Sequence, residues 1–243
     1  MSGYDPAAAE RDAVPQYALP LVVRVERENP PERTDALEAA AKAVLTLLTD
    51  PRVAEGATEG EWASAVRAWM DGRIRKVVRR ARGAPWHRAE ALPGVTVTHG
   101  TAQVRVYPPV PVDDWPPDLA KLQVSGTDLT DDEPRADPTP GTPILWQNPR
   151  LTITAGKAMA QAGHAAQLAW LALPDAERRR WQAAGFPLVV RTATAAKWKE
   201  LLDSGLPVVH DGGFTEVEPG TATFVADHPA LPAHGRGDRA TRR

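Results

Sequence analysis

The chain has 243 residues, 42% hydrophobic and 25% charged, with a formal net charge of -2 and no cysteine. That composition belongs to a core-forming globular protein of one large or two ordinary domains, and it excludes disulfides, thiolate metal sites and cysteine nucleophiles. Near-neutral charge speaks against non-specific coating of nucleic acid but leaves room for a local basic patch; the polar N-terminus and the lack of a long apolar run predict no membrane span and a cytoplasmic location.

In chain order, Leu19 to Glu26 (LPLVVRVE) is short and β-branched and predicts a strand. Thr34 to Thr49 follows as a helix with Thr34 as its N-cap, and Glu59 to Met70 as a second. VTV and AQVRVY, separated by a Thr-His-Gly-Thr turn, predict a hairpin. Pro108 to Pro143 is rich in proline and aspartate without a sustained period, which predicts a linker or surface excursion. Beyond it come a strand (PILWQ), helices over Gly156 to Leu173 and Asp175 to Ala184, and a strand (PLVVRTA). A helix ended by Gly205, two further strands (PVVHD, TATFVA) and a tail expected to be disordered complete the chain.

The basic segment RIRKVVRRAR, Arg73 to Arg82, first suggests a cationic helix. However, WMDGRIRKVVRRARGAPW (Trp69 to Trp86) lies without a gap over WQAAGFPLVVRTATAAKW (Trp181 to Trp198), sharing both tryptophans, Val-Val-Arg and two alanines. About one identity would be expected from average composition. The order of elements repeats too, so the segment reads as a strand and the chain as an internal duplication of an α/β unit. Two unrelated α/β segments are the alternative. The resulting division is a repeat at 17–107, a linker at 108–142, a second unit at 143–231 and a tail at 232–243.

Two stretches concentrate polar groups. In GKAMAQAGHA, Lys157, Gln161 and His164 fall within about 60° of one another at 100° per residue, one face of an alanine-rich helix. Thr154 and Gly156 could cap that helix and expose amide N–H groups to a phosphate or an oxyanion. In HDGGFTEVEPGTAT, Asp211 ends a strand beside Gly212 and Gly213, where ligands of open α/β sheets bind. A polar stripe facing water and an ordinary hairpin are the plain alternatives.

Together these stretches resemble the type 2 peptidyl-tRNA hydrolases, whose helix reads Gly-Lys-x-x-x-Gln-x-x-His-Ala and whose second motif reads Asp-Ala-Gly-x-Thr-x-(Ile/Val)-x-Pro-Gly-(Ser/Thr)-x-Thr. The resemblance covers roughly Pro143 to Leu231. It implies a small mixed β-sheet flanked by helices, no metal or cofactor, and hydrolysis of the ester joining a peptide to tRNA. It also implies Lys157 and Asp211 as catalytic residues, with Gln161, His164, Thr215 and Thr221 binding substrate. With the duplication, the expected α/β fold is a pseudo-dimer within one chain, monomeric, a homodimer being the alternative. Its first half has lost the motif residues and would present Arg73, Arg75, Lys76, Arg79, Arg80 and Arg82 to the tRNA backbone, or else merely keep a charged, solvated strand edge.

The sequence departs from the family at Gly212, at His228-Pro229, and in LWQNPRL, where Asn148 and Arg150 stand at the usual arginine and aspartate positions. LPLVVRVE is an alternative source of that strand. The altered NPRL segment is the best support for a competing reading, a non-catalytic tRNA- or ribosome-associated binding protein that keeps the fold; a third reading is an interaction module in which both halves are scaffold.

Overall fold

In a computed structural model, residues 11, 13–53, 60–213 and 216–234 are described. Two mixed sheets share one plan. The first contains β1 (Tyr17–Arg24), β2 (Arg75–Ala81), β3 (Val95–His99) and β4 (Ala102–Val106) in the order β2-β1-β4-β3, with the short β5 (Val110–Pro111) also pairing with β1. The second contains β6 (Ile144–Gln147), β7 (Val189–Thr192), β8 (Val208–His210) and β9 (Ala222–Asp227) in the order β7-β6-β9-β8. In each, the first two strands run parallel and the remaining pairs antiparallel. The strand beside the parallel β7 in the second sheet is therefore β6, while LPLVVRVE stays in the first sheet; β6 is short because Asn148 turns the chain, its Oδ1 accepting from Arg150 N–H at 2.9 Å.

The helices are α1 (Arg33–Leu48), α2 (Glu61–Asp71), α3 (Gly83–Ala91), α4 (Pro117–Ala120), α5 (Ala155–Ala172), α6 (Asp175–Ala183) and α7 (Ala195–Leu202). Among element pairs, α1 and α5 pack together most extensively. Both are buried on nearly all sides, α1 through Ala36, Ala39, Ala40, Ala43 and Val44 and α5 through Ala158, Ala162, Ala165, Ala166 and Ala169. A helix apolar all round needs neighbours all round, and small side chains let two such helices lie close to each other as well as to their own sheets. They are tightly packed at Gly163, where a Cβ would sit 2.9 Å from Val44 Cγ2. One hydrophobic core consequently runs through both halves.

The aligned tryptophan segments adopt matching local structure. Trp69 Nε1 donates to Arg75 O at 2.8 Å and Trp181 Nε1 to Pro187 O at 2.9 Å, the same six-residue span closing the same turn. The residues just before those acceptors, Ile74 and Phe186, both hold positive φ, 42° and 55°. For a branched or bulky side chain this is a strained conformation, so its recurrence at aligned positions is a strong structural echo.

The structure refines three expectations, residues 235–243 of the expected tail lying outside the described residues. The hairpin turn is Gly100-Thr101 alone, because Thr98 and His99 still pair in β3. The stretch from Pro108 to Pro143 is tied down along its length: Arg80 pairs through backbone with Gln123, Thr127 is fully buried, and Asp131 Oδ1 accepts from Thr34 N–H at 2.8 Å at the start of α1. Proline and aspartate there signal edge covering and capping, which have no period. At the other end of the chain, Pro232 to His234 are in place, His234 N–H donating to Ser204 O at 2.9 Å.

Candidate active site

Position 157 is set by the start of α5. Thr154 caps the helix, its Oγ1 accepting from Lys157 N–H at 3.2 Å, and Glu216 holds the cap by accepting from Thr154 N–H and Oγ1–H at 2.8 and 2.7 Å. Gly156 N–H donates to Thr127 Oγ1 at 2.9 Å. The amides of residues 156 and 157 are thus occupied within the protein, which leaves neither for an anion. What the helix offers at this end is the Lys157 side chain.

That side chain meets Asp211 just beyond β8. Lys157 Nζ lies 2.5 Å from Asp211 Oδ2, with side-chain exposures of 13% and 2%. The carboxylate also accepts from Gln161 Nε2–H on Oδ2 at 2.7 Å and from Gly213 N–H on Oδ1 at 2.8 Å. Behind Gln161, Thr223 Oγ1 donates to Gln161 Oε1 at 2.7 Å, which turns the amide so that its N–H groups face the aspartate. Each member fixes the next, as a buried polar network must if it is to be stable. Gly213 has φ 74° and a Cβ there would strike the Pro219 ring, so the loop's glycine is demanded by close approach.

Lys157, Gln161, His164, His210, Asp211 and Glu216 line one side of a cavity of about 550 Å³. The opposite wall comes from the N-terminal half: Arg73 to Val78 at the start of β2, with Val124 from the linker. The site lies at the seam between the two sheets. His164 makes its polar contact across that seam, Nδ1 lying 3.1 Å from Lys76 Nζ. Burial, then the charges of Lys76 and Lys157, hold its imidazole well below the ordinary histidine range.

The structure brings Lys157, Gln161, His164 and Asp211 together. Thr221 contributes its carbonyl, which accepts from Asp211 N–H at 2.9 Å, and Thr215 lies outside the described residues. Thr223, fully buried, is the threonine that joins the network; Thr221 precedes β9 while Thr223 lies within it, and only the fold distinguishes them. Glu216 and Thr127 carried no signal in the sequence beyond their residue type. Asn148 and Arg150 are away from the cavity: Asn148 Nδ2 donates to Ala222 O at 2.8 Å and so ties β6 to β9.

The basic residues divide. Arg73 and Arg75 line the cavity and Lys76 is buried. Arg79 donates to Ala120 O and Leu122 O at 3.1 and 2.5 Å and lies 4.6 Å over Trp115, while Arg80 donates to Ser125 O at 2.8 Å and to Gln123 Oε1. Both hold the linker against the edge of β2. Arg82 precedes α3.

Among the described residues, Asp35, Glu38 and His99 bring ligand atoms within 4.8 Å of one another. Those atoms already have partners: Thr101 donates to Asp35 Oδ2 through N–H and Oγ1–H at 2.7 and 2.8 Å, and Glu38 Oε2 meets His99 Nε2 at 2.6 Å. No helix among the described residues is long and apolar enough to cross a membrane.

Comparison with known proteins places the same region. The sequence profile of the family Peptidyl-tRNA hydrolase PTH2 matches residues 144–233. A peptidyl-tRNA hydrolase of Pyrobaculum aerophilum is 42% identical over 92 residues, which cover 33% of this chain and 77% of that protein.

Proposed function

The chain belongs to the peptidyl-tRNA hydrolase PTH2 family, and from that premise we propose that it cleaves the ester between a peptide and tRNA with Lys157 and Asp211 as the catalytic pair. The observation that carries the assignment of the site is the buried Lys157–Asp211 contact at the wall of the seam cavity, with Gln161 and Thr223 fixed behind it.

Ester hydrolysis needs a directed water and a place for negative charge on the carbonyl oxygen. A carboxylate offers about four accepting positions; Gly213, Gln161 and Lys157 take three of those on Asp211. A water donating to the fourth is aimed from a fixed oxygen. As it attacks the ester carbon, Asp211 receives its proton and the Lys157 ammonium donates to the oxyanion. Collapse expels the ribose oxygen, which takes that proton, leaving a free carboxyl on the peptide and a hydroxyl on tRNA.

The substrate is peptidyl-tRNA, and the N-terminal half supplies the second wall of the site in place of a second subunit, so the working form is a monomer near 26.2 kDa. Arg73 and Arg75, at the cavity rim, are the basic residues best placed to meet tRNA phosphates. Release of free tRNA from N-acetylated aminoacyl-tRNA, measured for the wild type beside Lys157→Ala and Asp211→Ala, tests the assignment. Turnover confined to the wild type is the expected result; tRNA binding without turnover in the wild type would make this a binding protein.

A further inference from the structure

The N-terminal half places a lysine where its own fold calls for an apolar residue. In the register set by Trp69 and Trp181, Lys76 corresponds to Leu188, which is buried and apolar in the C-terminal half. Lys76 is equally enclosed, 9% exposed, and burying an ammonium is costly unless its donors are used. They are used across the seam. Lys76 Nζ lies 2.5 Å from Gln167 Oε1, 3.1 Å from His164 Nδ1 and 4.7 Å from the centre of the Trp69 ring. Gln167 is oriented by Met70, whose Sδ accepts from Gln167 Nε2–H at 3.0 Å, so that its oxygen faces the lysine. The stem is clasped as well, since a Cβ at Gly163 would come within 3.3 Å of Lys76 Cδ.

We infer that Lys76 is a positioning residue of the active site, holding His164 with Nδ1 as acceptor so that Nε2 carries the hydrogen and donates to an oxygen of the substrate. An ammonium has donors only, and opposite it Nδ1 can only accept. Burial pushes Lys76 well below the ordinary lysine range; an uncharged amine keeps two N–H bonds, one for Gln167 Oε1 and one for His164 Nδ1, its lone pair being the competing acceptor that the tautomer measurement would expose. With Nδ1 engaged, the ring nitrogen left for a ligand is Nε2, which takes no hydrogen-bond partner among the described residues, on a side chain that lines the cavity. A neutral N–H at that place suits a carbonyl or hydroxyl oxygen, such as those of the esterified terminal ribose. The degenerate half then does more than fill the seam: it sets the tautomer of a binding residue in the other half.

The inference rests on the hydrolase reading for its consequence, and its test separates the two. Long-range proton–nitrogen correlation spectra of the intact protein report which imidazole nitrogen of His164 carries the hydrogen. The expected result is hydrogen on Nε2 and a bare Nδ1 in the wild type, giving way in Lys76→Met to a mixture of tautomers. Hydrogen on Nδ1 in the wild type, or an unchanged pattern in the variant, overturns the inference. Lys76→Leu, the residue found at 188, serves as the second variant should Lys76→Met fail to fold. In the tRNA-release assay either variant is expected to raise KM about two- to threefold, the inverse of the fraction of His164 that keeps hydrogen on Nε2, while kcat is unchanged. An active wild type with unchanged KM in the variants sinks the positioning role. An inactive wild type sinks the hydrolase reading and leaves the tautomer result to decide this one.

Discussion

Where helix meets strand end, the two halves of the molecule carry polar pairs of opposite arrangement. In the C-terminal half the helix supplies a lysine, Lys157, and the strand end a carboxylate, Asp211. In the N-terminal half the helix supplies a carboxylate, Glu38, and the strand end a base, His99, whose Nδ1 is also 2.9 Å from Lys42 Nζ. Matching the strand pairings makes Val97 equivalent to Val209 and thus His99 to Asp211. The difference lies in what surrounds each pair. Asp35 fills the space beside Gly100 so closely that a Cβ there would collide with its Oδ2, and Arg135 holds the other oxygen at 2.9 Å. Asp211 instead faces a cavity. A polar pair at this junction is thus compatible with the fold in either polarity, and only the pair of the C-terminal half keeps a side open to the cavity.

Removing each pair in turn separates the roles of the two halves. Lys157→Ala and Asp211→Asn are expected to lower kcat for tRNA release by about 100- to 1000-fold, the usual cost of losing an oxyanion donor or a positioned base. His99→Asn should leave kcat within about twofold. A comparable loss from His99→Asn would mean that the N-terminal pair takes part in the chemistry.

Stability should respond in the opposite sense. Glu38 Oε1 accepts from Val190 N–H at 2.9 Å and lies 3.5 Å from Arg191 Nη1, so this pair also ties its half to β7. Glu38→Ala leaves that buried amide without an acceptor and is expected to cost about 1–3 kcal/mol, read as a lower urea midpoint with kcat retained. Gly163→Val overfills the contact with Val44 and is expected to cost a similar 1–3 kcal/mol. If Gly163→Val unfolds as stably as the wild type, the helix contact is looser than the structure has it.

Much of this was legible in the sequence because it is written locally. The tryptophan-bounded repeat exposed the shared plan since Trp69 and Trp181 each close a turn within a few residues. The helix spacing of Lys157, Gln161 and His164 put them on one face before any partner was known. What escaped depends on the seam. Lys76 and Arg79 sit three residues apart in one basic run, yet one points into the other half and the other grips the linker. Thr127 closes the start of α5 from 29 residues away. No period or motif encodes which half a side chain will face.

The smallest expected effect concerns pH, and it too distinguishes the halves. His164 and His228, both in the C-terminal half, are held below the ordinary histidine range mainly by burial. His228 packs edge-on against Trp181, 4.9 Å between ring centres, and its Nδ1 accepts from Ala230 N–H at 3.1 Å, an arrangement suited to a neutral ring. The unfolded chain titrates these groups near about 6.5. With the folded pKa lower, the unfolded state binds more protons in the interval between them, so stability rises with pH there. It is complete above about 6.5 and is lost as pH falls from that point toward the folded values, by at most about 1.4 kcal/mol per pH unit for each histidine. Urea midpoints measured from pH 7.5 down to 5 should therefore fall below about 6.5. His228→Asn, which keeps an acceptor near Ala230 N–H but cannot take up a proton, should flatten that fall by up to one proton's worth; an unchanged slope would show that His228 charges as readily in the folded protein as in the unfolded chain.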